Sequence, residues 1–221
     1  VKNILGYYKE VTCIPIGYKK EELHTSKKIP NSINILFPKN KFTIGYFGGM
    51  GISNALDPFF NVVCKCKNNH DIHFLVAGSG DLKKKYTMQT RNLENITILP
   101  LVDKKFINSI FERCDLLYFS THDSKIWEYG QSLNKLVEYM LSGKPIIGSY
   151  NGYETMINEA SCGEFLKPYD EEAIIESILR YKNMDNEERK VIGLRGKQWI
   201  LKHRSYEQLA ENLAGLISSL T

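Results

Sequence analysis

From Phe42 onward the hydrophobic positions fall into two alternating patterns. Short, nearly unbroken apolar runs stop at glycine, proline or polar residues, and each is followed by a stretch with helical periodicity. Phe42-Thr43-Ile44-Gly45-Tyr46-Phe47 is the first run, ending at Gly48-Gly49-Met50-Gly51. A helix capped by Ser53 and reaching about Lys67 should follow, with Leu56, Phe59, Phe60, Val63 and Cys64 on one face. Residues 73–77 form the second run, stopped by Gly78-Ser79-Gly80, and Asp81 is placed to cap a helix to about Asn92. Residues 96–99 form the third, ending at Pro100, with Asp103 capping a helix over 104–113. Residues 116–120 form the fourth and lead into a long polar loop, 121–131. The helix over 132–141 then stops at Gly143, where glycine relieves the left-handed conformation of a helix end. A fifth run (145–148), a short helix (153–160) and a sixth run (163–166) follow, and helices over 171–182, 186–202 and 206–220 fill the remainder.

Strand–helix alternation repeated this often implies parallel strands joined by right-handed crossovers. Runs apolar on both sides fit a sheet covered on both faces. The expectation is a Rossmann-like, doubly wound α/β domain with a parallel sheet of about six strands, spanning residues 42–221. Binding sites in such sheets lie at the carboxyl ends of the strands near a switch point, which selects loops 48–53, 78–81, 100–103, 120–131 and 149–153. Residues 1–41 are different. Residues 11–17 read as a short strand ending in a turn, and 19–40, with Pro30 and Pro38, as loop or linker with no core of its own.

Composition narrows the class. The chain has 221 residues, 43% hydrophobic and 24% charged, an ordinary globular balance. A net charge of +4 and a pI near 8.6 are far from a nucleic-acid-binding composition. The five cysteines lack metal-ligand spacing, which points to reduced thiols; Cys64 and Cys66 read as bystanders on a helix. No apolar run approaches the roughly 20 residues of a membrane span, and no signal-peptide pattern opens the chain. It starts with Val1, as a segment of a longer chain would.

The polar residues at the strand ends carry the candidate chemistry. Gly48-Gly49-Met50-Gly51, between a strand and a helix, can bring backbone N–H groups to phosphate oxygens. Its spacing matches neither the dinucleotide fingerprint nor the P-loop, and a tight βα turn is the plain alternative. Gly78-Ser79-Gly80-Asp81 reads as a turn. On a helix starting near Ser132, Lys135 and Glu138 lie on one face. A cation in the first turn opposes the helix dipole, so Lys135 is better explained by an anionic ligand than by helix stability. The two oxygens of Glu138 suit a pair of sugar hydroxyls. The alternative is a solvated Lys–Glu pair contributing about 0.2–0.5 kcal/mol. His122, Asp123 and Glu128 are acid, base or hydroxyl-binding candidates in the polar loop, or merely solvated there. No catalytic triad order or histidine metal cluster is present, and His24, His70, His73 and His203 look incidental.

Over residues 42–220 these features resemble the C-terminal, donor-binding half of GT-B glycosyltransferases of family 4 (group 1), of the bacterial O-antigen and capsular polysaccharide type. Tyr129-Gly130-Gln131-Ser132-Leu133-Asn134-Lys135-Leu136-Val137-Glu138-Tyr139-Met140 with Gly143-Lys144-Pro145-Ile146-Ile147 is similar to their Y-G-x-S-P-N-K-x-x-E-Y-M…G-K-P-V-I signature. Tyr46-Phe47-Gly48-Gly49-Met50-Gly51 with Asn54-Ala55-Leu56-Asp57, Val76-Ala77-Gly78-Ser79-Gly80 and Cys114-Asp115-Leu116-Leu117 match in the same order. Ile14-Pro15-Ile16-Gly17-Tyr18 resembles the segment where the chain leaves the acceptor-binding domain. The helix from about Tyr206 resembles the one that crosses back onto that domain, so the acceptor-binding half would be missing.

The resemblance implies that Glu138 binds the ribose hydroxyls of a nucleotide-sugar, a UDP-sugar above all. Gly48, Gly49, Met50 and Gly51 would approach its diphosphate and sugar. Ser132, Leu133, Asn134 and Lys135 would cradle the phosphates, and Leu101 and Val102 would flank the base. It implies no cofactor and no metal. The family's first glutamate falls on Gly130, and Glu128, two residues away, is the candidate to replace it as the catalytic carboxylate. The usual basic residues after the first glycine loop are also absent, since none occurs between Lys41 and Lys65; Lys135, with Lys125, would neutralise the diphosphate. Leu133 replaces the commoner proline. The implied activity is retaining transfer of a hexosyl or N-acetylhexosaminyl group to a lipid-linked acceptor, in the cytoplasm at the inner face of the membrane, in capsule or lipopolysaccharide synthesis. This half alone would be inactive. A nucleotide-sugar 2-epimerase half and a non-catalytic nucleotide-binding module remain open alternatives.

Overall fold

A computed structural model describes residues 13–24 and 27–219. Six strands form one parallel sheet in the order β3-β2-β1-β4-β5-β6. They are β1 Phe42–Phe47, β2 Ile72–Ala77, β3 Ile96–Ile98, β4 Leu116–Ser120, β5 Ile146–Ser149 and β6 Gly163–Leu166. The helices are α1 Asn31–Asn34, α2 Asp57–Lys65, α3 Lys83–Thr90, α4 Ile107–Phe111, α5 Asn134–Ser142, α6 Met156–Ala160, α7 Glu171–Asn183, α8 Asn186–His203 and α9 Tyr206–Ser218. The expected doubly wound α/β domain is the one observed.

Why the strand runs are unbroken in the sequence is visible in their packing. Ile44 and Tyr46 of β1, Phe74 and Val76 of β2, and Leu116 and Tyr118 of β4 point to one core, with the inner faces of α2, α3 and α7. Their neighbours Phe47, Leu75, Ala77, Leu117 and Phe119 point to the other, with α4, α5, α6 and α8. Alternating side chains thus meet helices on both sides, so no position on these strands faces water. Aromatic stacking fills the first core: Phe59 of α2 lies 4.6 Å from Tyr118, and Phe60 lies 4.0 Å from Tyr86.

β1 and β4 are adjacent, yet their following connections run to opposite sides of the sheet. Their C-terminal ends therefore splay, and α5 spans the split. The buried Tyr139 hydroxyl fixes it there: it accepts the Phe47 N–H at 2.9 Å and lies 3.1 Å from the Phe47 carbonyl and 3.3 Å from that of Tyr118. α5 ends at Gly143, in the left-handed conformation (φ 70) the sequence calls for.

The helix starts differ from those expected. Ser53 caps nothing: a 3-10 turn, Ile52–Asn54, intervenes and α2 begins after Leu56. Asp81 is also not a cap, since α3 begins after Leu82. Asp103 does accept the Lys105 N–H, but it starts a 3-10 turn, Lys104–Phe106, ahead of α4. α5 starts two residues later than expected, and the polar loop before it holds a 3-10 turn, Lys125–Tyr129. Residues 11 and 12 of the first expected strand lie outside the described residues, and 13–17 form no strand; instead Tyr18 bridges Ser205 at the α8–α9 junction. The segment read as a linker adds to the core, because Ile29 and Phe37 are buried against it. Ser109 Oγ and Thr97 Oγ1 donate to the Lys27 and Leu36 carbonyls.

Gly193 of α8 sits against the α5–β5 turn, where an added Cβ would run into the Gly143 carbonyl oxygen. Helix propensity alone makes Gly193→Ala stabilising by up to about 1 kcal/mol, whereas a backbone clash makes it destabilising by about 1–3 kcal/mol. The packing predicts the second sign in urea unfolding; a stabilised variant would show that α8 and this turn are not in contact.

Candidate functional site

A cavity of ≈ 560 Å³ opens at the C-terminal ends of β1, β2 and β3 and is closed on one side by α5. This is the location a doubly wound sheet reserves for ligands. Phe47 and Gly48 come to it from β1, Ala77 and Gly78 from β2, Leu101 and Val102 from the β3 loop, and residues 132–135 with Glu138 from α5.

The start of α5 leaves positive charge without a side-chain cap. Its N-cap is Leu133, which offers no side-chain oxygen to the first-turn N–H groups. Ser132, Leu133 and Asn134 line the cavity beside the partly buried Lys135. The Lys135 ammonium has neutral partners: Asn54 Oδ1 at 2.7 Å, the Tyr46 hydroxyl at 3.4 Å and the Tyr46 ring, with its centroid at 5.0 Å. The Tyr46 hydroxyl donates to the Gly49 carbonyl at 2.5 Å, so it meets the ammonium as an acceptor. Asn54 is fixed in turn by Ser120 Oγ of β4, which donates to its carbonyl at 2.5 Å. Desolvation pushes the Lys135 pKa down to about 8.

The expected alternative, a surface ion pair between Lys135 and Glu138, does not form. Glu138 is instead 3.5 Å from Lys104 across the cavity wall, with its side chain 38% exposed. Leu101, 84% exposed, offers an uncovered apolar surface at the same end.

The structure thus gathers Gly48, Leu101, Val102, Ser132, Leu133, Asn134, Lys135 and Glu138 around one cavity. It places Gly49, Met50, Gly51 and Glu128 outside the lining. Met50 is fully buried. The first glycine loop packs on the second: Gly48 N–H donates to Ala77 O, Met50 N–H to Ser79 O, and Leu82 N–H to Met50 O. A Cβ at Gly78 would run into the Gly48 carbonyl oxygen, so this close approach is what the second glycine turn serves. The expected donation of N–H groups from Gly48 and Met50 to phosphate is therefore corrected: both are spent inside the protein. What Gly48 does supply is room, since a Cβ there would stand 3.1 Å from Lys135 Nζ.

Glu128 is exposed on the 3-10 turn of the loop, as is Lys125. His122 pairs with the Tyr169 hydroxyl at 2.8 Å, and Asp123 lies 3.5 Å from Asn151, so both tie the loop to the segments that follow β5 and β6. Among the described residues no cluster of three or more histidine, cysteine or acidic side chains could hold a metal ion. No helix among them is long and apolar enough to cross a membrane. Asn54, Tyr46 and Lys104 receive no site role from the sequence, because the place of each at the cavity is defined by a partner far away in the chain.

The family model of Glycosyl transferases group 1 matches residues 41–183, well over half of the chain. Comparison with curated proteins gave no significant match. Among solved structures, Anabaena HepE in complex with UDP and glucose has a TM-score of 0.68 at 16% identity, covering 92% of this chain and 55% of that one. Staphylococcus aureus TarM, in a complex containing UDP, has a TM-score of 0.65 at 18% identity, covering 86% and 38%. The C-terminal domain of the group 1 glycosyl transferase LpcC of Francisella tularensis has a TM-score of 0.63 at 17% identity, covering 87% and 95%. The chain therefore spans about half or less of the first two proteins and nearly all of the LpcC domain. On the extent of the family match, the chain belongs to the Glycosyl transferases group 1 family.

Proposed function

We propose that the chain is the nucleotide-sugar-binding half of a two-domain glycosyltransferase, with a UDP-sugar as donor. The observation that carries this reading is the Lys135 ammonium: desolvated, in contact with neutral groups, and set at the uncapped start of α5 on the wall of a cavity. A cation and a helix N-terminus repel each other, and an anionic ligand between them offsets that cost. A diphosphate supplies the required charge. Glu138, nearly one turn further along, then accepts from the ribose hydroxyls, and Leu101 and Val102 flank the base. HepE and TarM are both solved in complexes containing UDP, which supports the choice of nucleotide.

In this reading Lys135 and the α5 donors stabilise the charge that develops on the leaving diphosphate, and the site needs no metal. The acceptor side, a lipid-linked saccharide for capsule or O-antigen synthesis at the inner membrane face, belongs to a second domain. The retaining outcome is part of the same proposal. Glu128 receives no catalytic role, because it stands away from the cavity lining.

Lys135→Ala is expected to weaken UDP binding at least about ten-fold in calorimetry, the cost of losing a charged hydrogen-bond donor; unchanged affinity would remove Lys135 from the site. The same ammonium sets a pH dependence. Its pKa lies near 8 and an anion raises it, so the Lys135 contribution to UDP affinity should be constant below pH 8 and fall as pH rises above it. The Lys135→Ala variant should lack that fall while sharing every titration of the ligand. Glu138→Ala should abolish the preference for UDP over 2′-deoxy-UDP; a preference that survives the substitution would sink the ribose role.

A further inference from the structure

Two adjacent lysines follow Asp103, and the fold treats them differently. Lys105 is committed locally: Nζ lies 2.7 Å from Asp103 Oδ2 and 5.0 Å from the centroid of the Phe106 ring. Lys104 lines the cavity instead, and its ammonium stands 3.5 Å from Glu138 Oε1, with 74% of its side chain exposed. That is the carboxylate assigned above to the ribose hydroxyls. A nucleoside occupying the cavity would compete with Lys104 for it. An exposed ion pair of this kind contributes only about 0–1 kcal/mol, and its partner Glu138 is the group the ribose hydroxyls would take. Charge balance favours the same exchange. A nucleoside diphosphate carries more negative charge than the single desolvated ammonium of Lys135 can match, and no basic residue stands between Lys41 and Lys65.

We propose that Lys104 is a second ligand of the donor's diphosphate, reached by a change of partner. When the nucleotide binds, the ribose hydroxyls take Glu138, and the Lys104 ammonium turns along the cavity wall to the phosphate oxygens. The four-carbon stem and three rotatable donors of lysine suit such a change, where a planar guanidinium fork would not. The inference rests on the donor-binding reading above. It adds that the nucleoside and phosphate subsites are coupled through one side chain. Lys104 lies in a turn that lacks the glycine-loop and first-helix pattern by which phosphate cations are usually sought, so its position in sequence gives no hint of the role.

The test is a set of NMR titrations, which follow weak as well as tight binding, of the wild-type chain and Lys104→Gln with UDP and with uridine, each at low and moderate salt. The proposal expects Lys104→Gln to weaken UDP about five-fold or more, to leave uridine within two-fold, and to reduce the salt dependence of UDP binding by about one ion pair. Lys104→Arg should recover only part of the UDP affinity. Equal losses for UDP and uridine would overturn the proposal, because Lys104 would then act by setting the Glu138 carboxylate. Unchanged UDP affinity would overturn it by showing that the lysine stays in solvent. A wild-type chain that binds no UDP would defeat the donor reading itself, an outcome distinct from either.

Discussion

The Tyr139 hydroxyl, bonded to main-chain groups of β1 and positioned against that of β4, is the tie on which the site depends. It sits where the sheet divides, and it sets the helix α5 across that division. Tyr139 is itself fully buried among Phe47 and Phe111, whose rings meet it edge-on. With the middle of α5 held, the start of the helix can afford poor local chemistry: a leucine N-cap and a lysine in the first turn. Each of these lowers helix stability alone. Tertiary anchoring overrides them, and the result is a cluster of positive potential directed into a cavity.

In the proposed reading, electrostatics gives the cavity its selectivity. Lys135 is partnered by an amide oxygen and a phenol, which hold the ammonium in place without neutralising it. A carboxylate in the same position would form a satisfied ion pair and leave little for a ligand to gain. Glu138 does carry charge, but it faces Lys104 at the other end of the wall. In the proposed donor-binding reading, α5 and Gly48 form an anion-seeking end and the wall beside Leu101 and Val102 a hydroxyl-seeking end. A nucleoside diphosphate has the same polarity along its length.

Much of this was legible in the sequence, for identifiable reasons. The four central strands, buried on both faces, leave unbroken apolar runs, and these with the half-buried edge strands β3 and β6 were all expected within about a residue at each end. Gly143 marks the end of α5 because a left-handed turn admits few other residues. Ser53 and Asp81 misled as caps, because short turns separate them from the helices they precede. Ile29 and Phe37 were passed over because isolated apolar residues in a polar segment carry no periodicity, yet each covers the core. In the site, the signature around Lys135 and Glu138 placed one wall. Asn54 and Lys104 could not be assigned, since the first is defined by a lysine 81 positions later and the second by a glutamate across the cavity. Met50 misled in the opposite direction: a glycine-rich loop suggests phosphate contact, and here it serves to pack two loops together.

The central claim is that Lys135 is an unneutralised ammonium awaiting an anion. Its pKa can be measured by NMR on selectively labelled lysine side chains, without and with saturating UDP. The account predicts a pKa near 8 in the free chain and a clear rise when UDP binds. A free-chain pKa at the ordinary lysine value, unchanged by UDP, would contradict it.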